Sequence, residues 1–349
     1  MNTLPSIKLE KGFKSVLILS NKLSYELTHI YPLITNIISP MPLVNSKAES
    51  KEFRSPNYLQ GLLNGVPYYD PCGSPDGPIP SSKPNDAPFS QGENSYQRAI
   101  HCPLGIQNLT TDLPKAGFDI CWINLPFHGL GDMQLSGEFV AYAVNHLANL
   151  SVTAKINIVT YSQGGSNAQW AITFWPSIRT RIINLITISA PHKGTFLTDL
   201  FCKPLKLMGG CLPSVLQMSQ RSNYMSAVYK RSIEDGEPEA LVPTTSIYTF
   251  YDELVLPQVS NPNGVSYLSG ASNIAIQEVC GQTHIINHFG IISDMATYGL
   301  VYDALIHGRP TSLETFDHCI HIILLKESTV MDINLPNEPL LMPYHYRVL

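Results

Sequence analysis

Ser162 is the residue of this 349-residue chain best placed for nucleophilic chemistry. It follows the β-branched apolar run Ile158-Val159-Thr160-Tyr161 and precedes Gln163-Gly164-Gly165. That order predicts a strand that turns sharply into a helix. A serine at such a bend is lifted clear of the sheet, where its hydroxyl can reach both a substrate and a base. The stretch 166–175 suits the helix and holds no proline before Pro176. The general pattern, G-x-S-x-G, is only partly matched, because Thr160 takes the first position, where helix and strand cross closely. A T-x-S-x-G string also arises by chance or for structural reasons, so other residues must supply the rest of the chemistry.

A serine hydroxyl is nearly inert at neutral pH without a base to take its proton. On folds with this bend, the acid and the histidine follow the serine in chain order, each on a loop after a later strand. Asp252, directly after the strand-like 246–250, is the first carboxylate to fit, and Glu253 beside it is a weaker candidate. The histidines beyond are His284, His288, His307, His318, His321 and His345. His288 lies where a loop should begin, a few residues past the apolar run 273–279, and His284 is its main rival.

The elements that must position these groups alternate. Strands are predicted over 118–125, 156–161, 182–189, 245–250 and 273–279, with helices over 136–150 and 166–174 and helical pieces within 196–240. Strands alternating with helices imply a mostly parallel sheet with right-handed crossovers and an α/β fold, active-site loops gathering at the strand C-terminal ends. Residues 1–55 show no clear periodicity, and 56–92, rich in Pro, Gly, Ser and Asn, read as linker.

Composition narrows the classes. Hydrophobic residues make up 44% and charged residues 14%, as for a globular protein with a substantial core, and the low charge suits work near apolar material. A net charge of −5 argues against nucleic acid, whose binders carry basic patches. Neither a C-x-x-C pair nor an H-E-x-x-H helix is present, so no metal or cofactor is expected. The apolar run at 15–20 makes a poor signal peptide, and nothing approaches the ~20 apolar residues of a membrane span. Two glycosylation sequons begin at Asn108 and Asn149.

These strings together resemble the Candida antarctica lipase B-like fungal lipases. The likeness is carried by Thr160–Gly165, Ala168-Gln169-Trp170, Phe174–Arg179, Lys193-Gly194-Thr195, Val242–Thr245, Tyr251–Val255, Pro257–Ser260, Val279-Cys280-Gly281, His288 and Glu338–Tyr344. It spans about residues 86–349, leaving 1–85 as a poorly ordered or linker-like extension. The resemblance implies an α/β-hydrolase fold with helices on both faces of the sheet, and a secreted monomer that hydrolyses carboxylic esters of lipids. It makes Ser162 the nucleophile, His288 the base and Asp252 its orienter, with the Gln163 backbone N–H as an oxyanion donor. Tyr161, where the family has tryptophan, and Gln258 are implied in the substrate pocket. Disulfides are implied for Cys102 with Cys121 and Cys280 with Cys319. Cys72, Cys202 and Cys211 remain, the last two close enough in sequence to pair.

One departure bears on activity. The resembled lipases carry a strand and a glycine-threonine loop between the first two bridged cysteines, and that loop completes the oxyanion hole. Here Cys102 and Cys121 are only 19 positions apart, too few for both. The expectation is therefore a sheet lacking that strand and loop, with unpaired backbone groups on its neighbours. Either another segment fills the gap, with 16–19 (VLIL) the only N-terminal run of strand character, or the sequence is an incomplete gene product, which is the favoured reading. An impaired, ester-binding hydrolase is the alternative that follows.

Overall fold

A computed structural model describes residues 14–19 (backbone only), 75–102, 113, 117–205, 211–232, 238–314 and 316. Its centre is a seven-stranded sheet built from β1 (Lys14–Leu19), β2 (Ile100–His101), β3 (Phe118–Ile123), β4 (Ile156–Tyr161), β5 (Ile182–Ile188), β6 (Thr244–Tyr248) and β7 (Ser272–Ala275). The strands lie in the order β2-β3-β1-β4-β5-β6-β7. Only β2 runs antiparallel, against β3; the other pairings are parallel.

The central strands are near-continuous apolar runs because both faces of the sheet are covered. Side chains alternate between the two cores. Ile156 and Ile158 of β4 face one cluster with Tyr96 of α1 (Glu93–Ala99), Phe139, Val140 and Leu147 of α2 (Met133–Leu150) and Ala168 and Ile172 of α3 (Gln163–Phe174). Tyr161 faces the other, with Ile186, Ile188, Leu300 and Ala304, the last two on the long helix Met295–His307. The α2 and α3 helices pass so closely that a Cβ on Gly137 would lie 2.5 Å from the Trp170 ring. This is the α/β-hydrolase arrangement, with helices on both faces as expected.

Two expectations are corrected. The sheet has no gap: β1 pairs with β3 on one side and β4 on the other, with Leu17 opposite both Cys121 and Ile158. The N-terminal apolar run therefore fills the slot, so both neighbouring strands find partners and the predicted row of orphaned backbone groups does not arise. Residues 103–112 lie outside the described part. The boundary at residue 86 also moves, because earlier residues belong to the packed domain. Asp76 accepts hydrogen bonds from the Asn94 backbone (3.1 Å) and side chain (3.2 Å) and pairs with Arg98. Together with the central placement of 14–19, this shows that 1–85 is not wholly a separate extension.

Cys102 and Cys121 form a disulfide joining the end of β2 to β3, and Cys202 pairs with Cys211. Cys280 forms no disulfide with another described residue. Its implied partner Cys319 lies outside the described residues, as does Cys72. The run predicted as strand 273–279 divides, with 276–280 a short helix. The Glu278 carboxylate accepts the Ala275 backbone N–H (2.8 Å), which ends the strand and begins the turn of helix.

Candidate active site

The bend between β4 and α3 imposes an unusual backbone on Ser162, with φ 53° and ψ −128°. Such a conformation costs roughly 1–3 kcal/mol and persists only where the surroundings fix it. Here the Ser162 N–H donates to Ile188 O (2.9 Å) on the next strand. The crossing is tight: a Cβ on Gly165 would lie 2.4 Å from Ala190 Cβ, so glycine is needed there. Thr160 fits because its hydroxyl turns to Ile186 O (3.3 Å). Gly165, one residue past the motif, and the motif's Thr160 thus meet the same crowding, since the added Cβ would also lie 3.4 Å from Thr160 Oγ1.

His288 lies on the loop after 276–280. Its Nε2 is 3.0 Å from Ser162 Oγ and its Nδ1 is 2.8 Å from Asp252 Oδ2. A carboxylate can only accept, so Nδ1 carries the proton and Nε2 is left to accept from the serine hydroxyl. Asp252 is itself satisfied, its Oδ1 accepting the N–H groups of Leu254 (3.0 Å) and Val255 (2.8 Å). Both His288 and Asp252 are buried, so their contact is little screened by solvent.

Sequence reasoning named Glu253 only as a weaker acid and assigned Tyr161 to a pocket. In the structure both hold His288 by its main chain. Glu253 Oε2 accepts the His288 N–H (2.8 Å), and the Tyr161 hydroxyl donates to His288 O (2.7 Å). The same loop is tied down by Thr249, whose hydroxyl donates to Ile286 O (2.8 Å), and by Gln277, whose amide donates to His284 O (3.0 Å). Nothing in the sequence marked Thr249 or Gln277.

His284, the rival base, faces Asp294 at 2.8 Å instead of the serine. Gln163 opens α3, so its backbone N–H has no acceptor within the helix. Its buried side chain donates to Gly129 O (2.7 Å), fixing the turn Pro126–Gly129 against the bend. Gln258 is buried, its amide donating to Ser266 Oγ (2.6 Å), which donates to Ala190 O (2.8 Å). The C-terminal end of β1, Leu19, pairs with Thr160, two positions before Ser162; the residues after it lie outside the described part. Among the described residues no group of three His, Cys, Asp or Glu side chains is gathered to hold a metal ion.

Lipase B of Pseudozyma antarctica is 36% identical over 192 residues, covering 55% of this chain and 54% of that protein. The chain therefore spans about half the length of that curated relative. Among solved structures, Aspergillus fumigatus lipase B superposes with a TM-score of 0.58 at 27% identity, covering 74% of this chain and 68% of that one. The likeness is to the lipase-B-like fungal family. No protein-family model matches the chain. The lipase-B-like likeness and the seven-stranded sheet agree on an α/β hydrolase.

Proposed function

We propose that the protein is a serine hydrolase that cleaves carboxylic esters of lipids through an acyl-enzyme. One observation carries the reading: Ser162, on a strained bend, lies within hydrogen-bond reach of a buried histidine whose other ring nitrogen faces a carboxylate. In this reading the Ser162 oxygen attacks the ester carbonyl as its proton passes to His288 Nε2. Asp252 holds the ring in the tautomer that leaves Nε2 free and stabilises the imidazolium that forms. The Gln163 N–H donates to the developing oxyanion. The imidazolium returns its proton to the departing alkoxide, leaving an acyl-serine. Water, deprotonated by the same nitrogen, then attacks the acyl carbon, and the imidazolium returns its proton to the departing Ser162 oxygen as the acid is freed.

Lipid as the substrate class is supported by the relatives' names and by apolar side chains near the site. Phe196, Leu200 and Phe201 are exposed on the helix Phe196–Leu205, and Leu212 and Leu216 are exposed nearby in sequence. That helix starts against the loop after Asp252, the Phe196 N–H donating to Leu256 O (2.9 Å). Two disulfides favour an oxidising, extracellular setting. Asn149, one sequon asparagine, is exposed. No helix among the described residues is long and apolar enough to cross a membrane.

Hydrolysis of p-nitrophenyl butyrate tests the reading. Ser162→Ala is expected to lose at least about 10⁴-fold in kcat, and a variant as active as the parent would refute it. A fluorophosphonate probe separates the impaired-hydrolase alternative, which follows from the short segment between Cys102 and Cys121. Rapid labelling at Ser162 requires an activated serine and removes that alternative.

A further inference from the structure

We infer that Tyr161 is a positioning residue for His288, tying the base to the strand that carries the nucleophile. The inference rests on the ester-hydrolase reading above. His288 has four polar groups, and each has a partner: Asp252 at Nδ1, Ser162 at Nε2, Glu253 at the backbone N–H and the Tyr161 hydroxyl at the backbone carbonyl. Tyr161 differs from the others because it is covalently joined to the nucleophile. The path from Ser162 Oγ to His288 Nε2, along His288 to its carbonyl, across to the Tyr161 hydroxyl and back through one peptide bond is a closed circuit. Residues 127 apart in sequence are thereby held in a ring closed by two hydrogen bonds, with His288 on one side and the Tyr161-Ser162 dipeptide on the other.

The strand makes this anchor stiff. Tyr161 is the last residue of β4, pairs with Ile188 and is buried. Its ring also packs on the imidazole, with centroids 5.0 Å apart and planes 35° from one another. Tyr161 therefore constrains His288 twice: the hydroxyl fixes the main chain, and the ring packs beside the imidazole. Positioning of this kind is felt in turnover, because small displacements of a reacting pair are costly.

Tyr161→Phe removes the hydroxyl and keeps the ring. The expected result is a fall of about five- to tenfold in kcat, the worth of one hydrogen bond, with KM for p-nitrophenyl butyrate within about twofold of the parent. The fluorophosphonate labelling rate should fall in parallel. Tyr161→Leu, which also removes the ring, should lose more of both. Tyr161→Leu, which has no donor to set against the carbonyl, carries the expectation if Tyr161→Phe fails to fold. The low-field proton resonance of His288 Nδ1–H supplies a readout independent of turnover, expected to broaden or move in Tyr161→Phe. A parent whose Ser162 is inert would sink the hydrolase reading while the resonance still judges the clamp. A hydroxyl-free variant with parental kcat, labelling rate and resonance would overturn the inference.

Discussion

The loop after β5 and the loop beyond β7 each bring a histidine to the C-terminal side of the sheet, and both side chains are buried, His192 at 2% exposure and His288 at 1%. Their surroundings differ in kind. His192 Nε2 meets the Thr187 hydroxyl at 3.0 Å, and its Nδ1 has no hydrogen-bond partner among the described residues. Burial without a countercharge pushes its pKa down to about 4. His288 has a carboxylate on one ring nitrogen and a serine hydroxyl on the other. Equal burial thus leaves one imidazole without a charged neighbour and sets the other between a carboxylate and a hydroxyl. The difference on the ring itself is the Asp252 carboxylate, which has no counterpart at His192.

Removing that charge should have the largest effect. Asp252→Asn keeps the size of the side chain but presents no negative charge and can stabilise the wrong tautomer. Turnover of p-nitrophenyl butyrate is expected to fall about 10⁴-fold with little change in KM. If Asp252→Asn retains more than about a tenth of the parental kcat, the two histidines do not differ in the way proposed.

His192 sharpens the contrast through stability. Its ordinary pKa is 6.5 and its folded value is about 4. Above pH 6.5 the ring is neutral in both folded and unfolded chains, so it adds no pH dependence. Between 6.5 and 4 the unfolded chain takes up a proton that the folded one refuses, and stability falls as pH falls. Below about 4 the loss is complete, roughly 3 kcal/mol in all. His192→Asn cannot titrate, so its stability measured by urea unfolding should decline less steeply over that window than the parent's. Identical slopes would place the acid sensitivity elsewhere. Activity of the variant at pH 8 should stay within a few-fold of the parent's.

How far these features could be read from the sequence depends on how local they are. The bend at Ser162 was legible because strand, serine and the Gly164-Gly165 pair lie within a few residues of one another. Asp252 and His288 could be proposed from chain order and loop position, and the structure brings both to the serine. The partners that hold His288 by its main chain could not be read, because Tyr161 meets it across 127 positions and no spacing rule links them. The apolar run at 16–19 showed strand character, but its insertion between β3 and β4 is a long-range pairing that leaves no local mark. The helix 276–280 was read as strand because a short apolar run fits either form, and the deciding contact is a carboxylate turned back on the chain.

The smallest expected effect concerns Glu253, whose neighbour Asp252 holds the ring while it holds the backbone of the same residue. If the bond to the His288 N–H matters as a hydrogen bond, Glu253→Gln should preserve it, because an amide oxygen still accepts. Glu253→Ala leaves that donor to water or to nothing, and a drop of about three- to tenfold in kcat is expected. If charge is what matters, Gln should behave like Ala. Steady-state kinetics of the two variants separate these cases, with thermal melts showing whether the loop itself has loosened. Equal parental activity in both would leave Asp252 and Tyr161 as the groups that fix His288, and would make the second carboxylate of the pair a matter of loop stability alone.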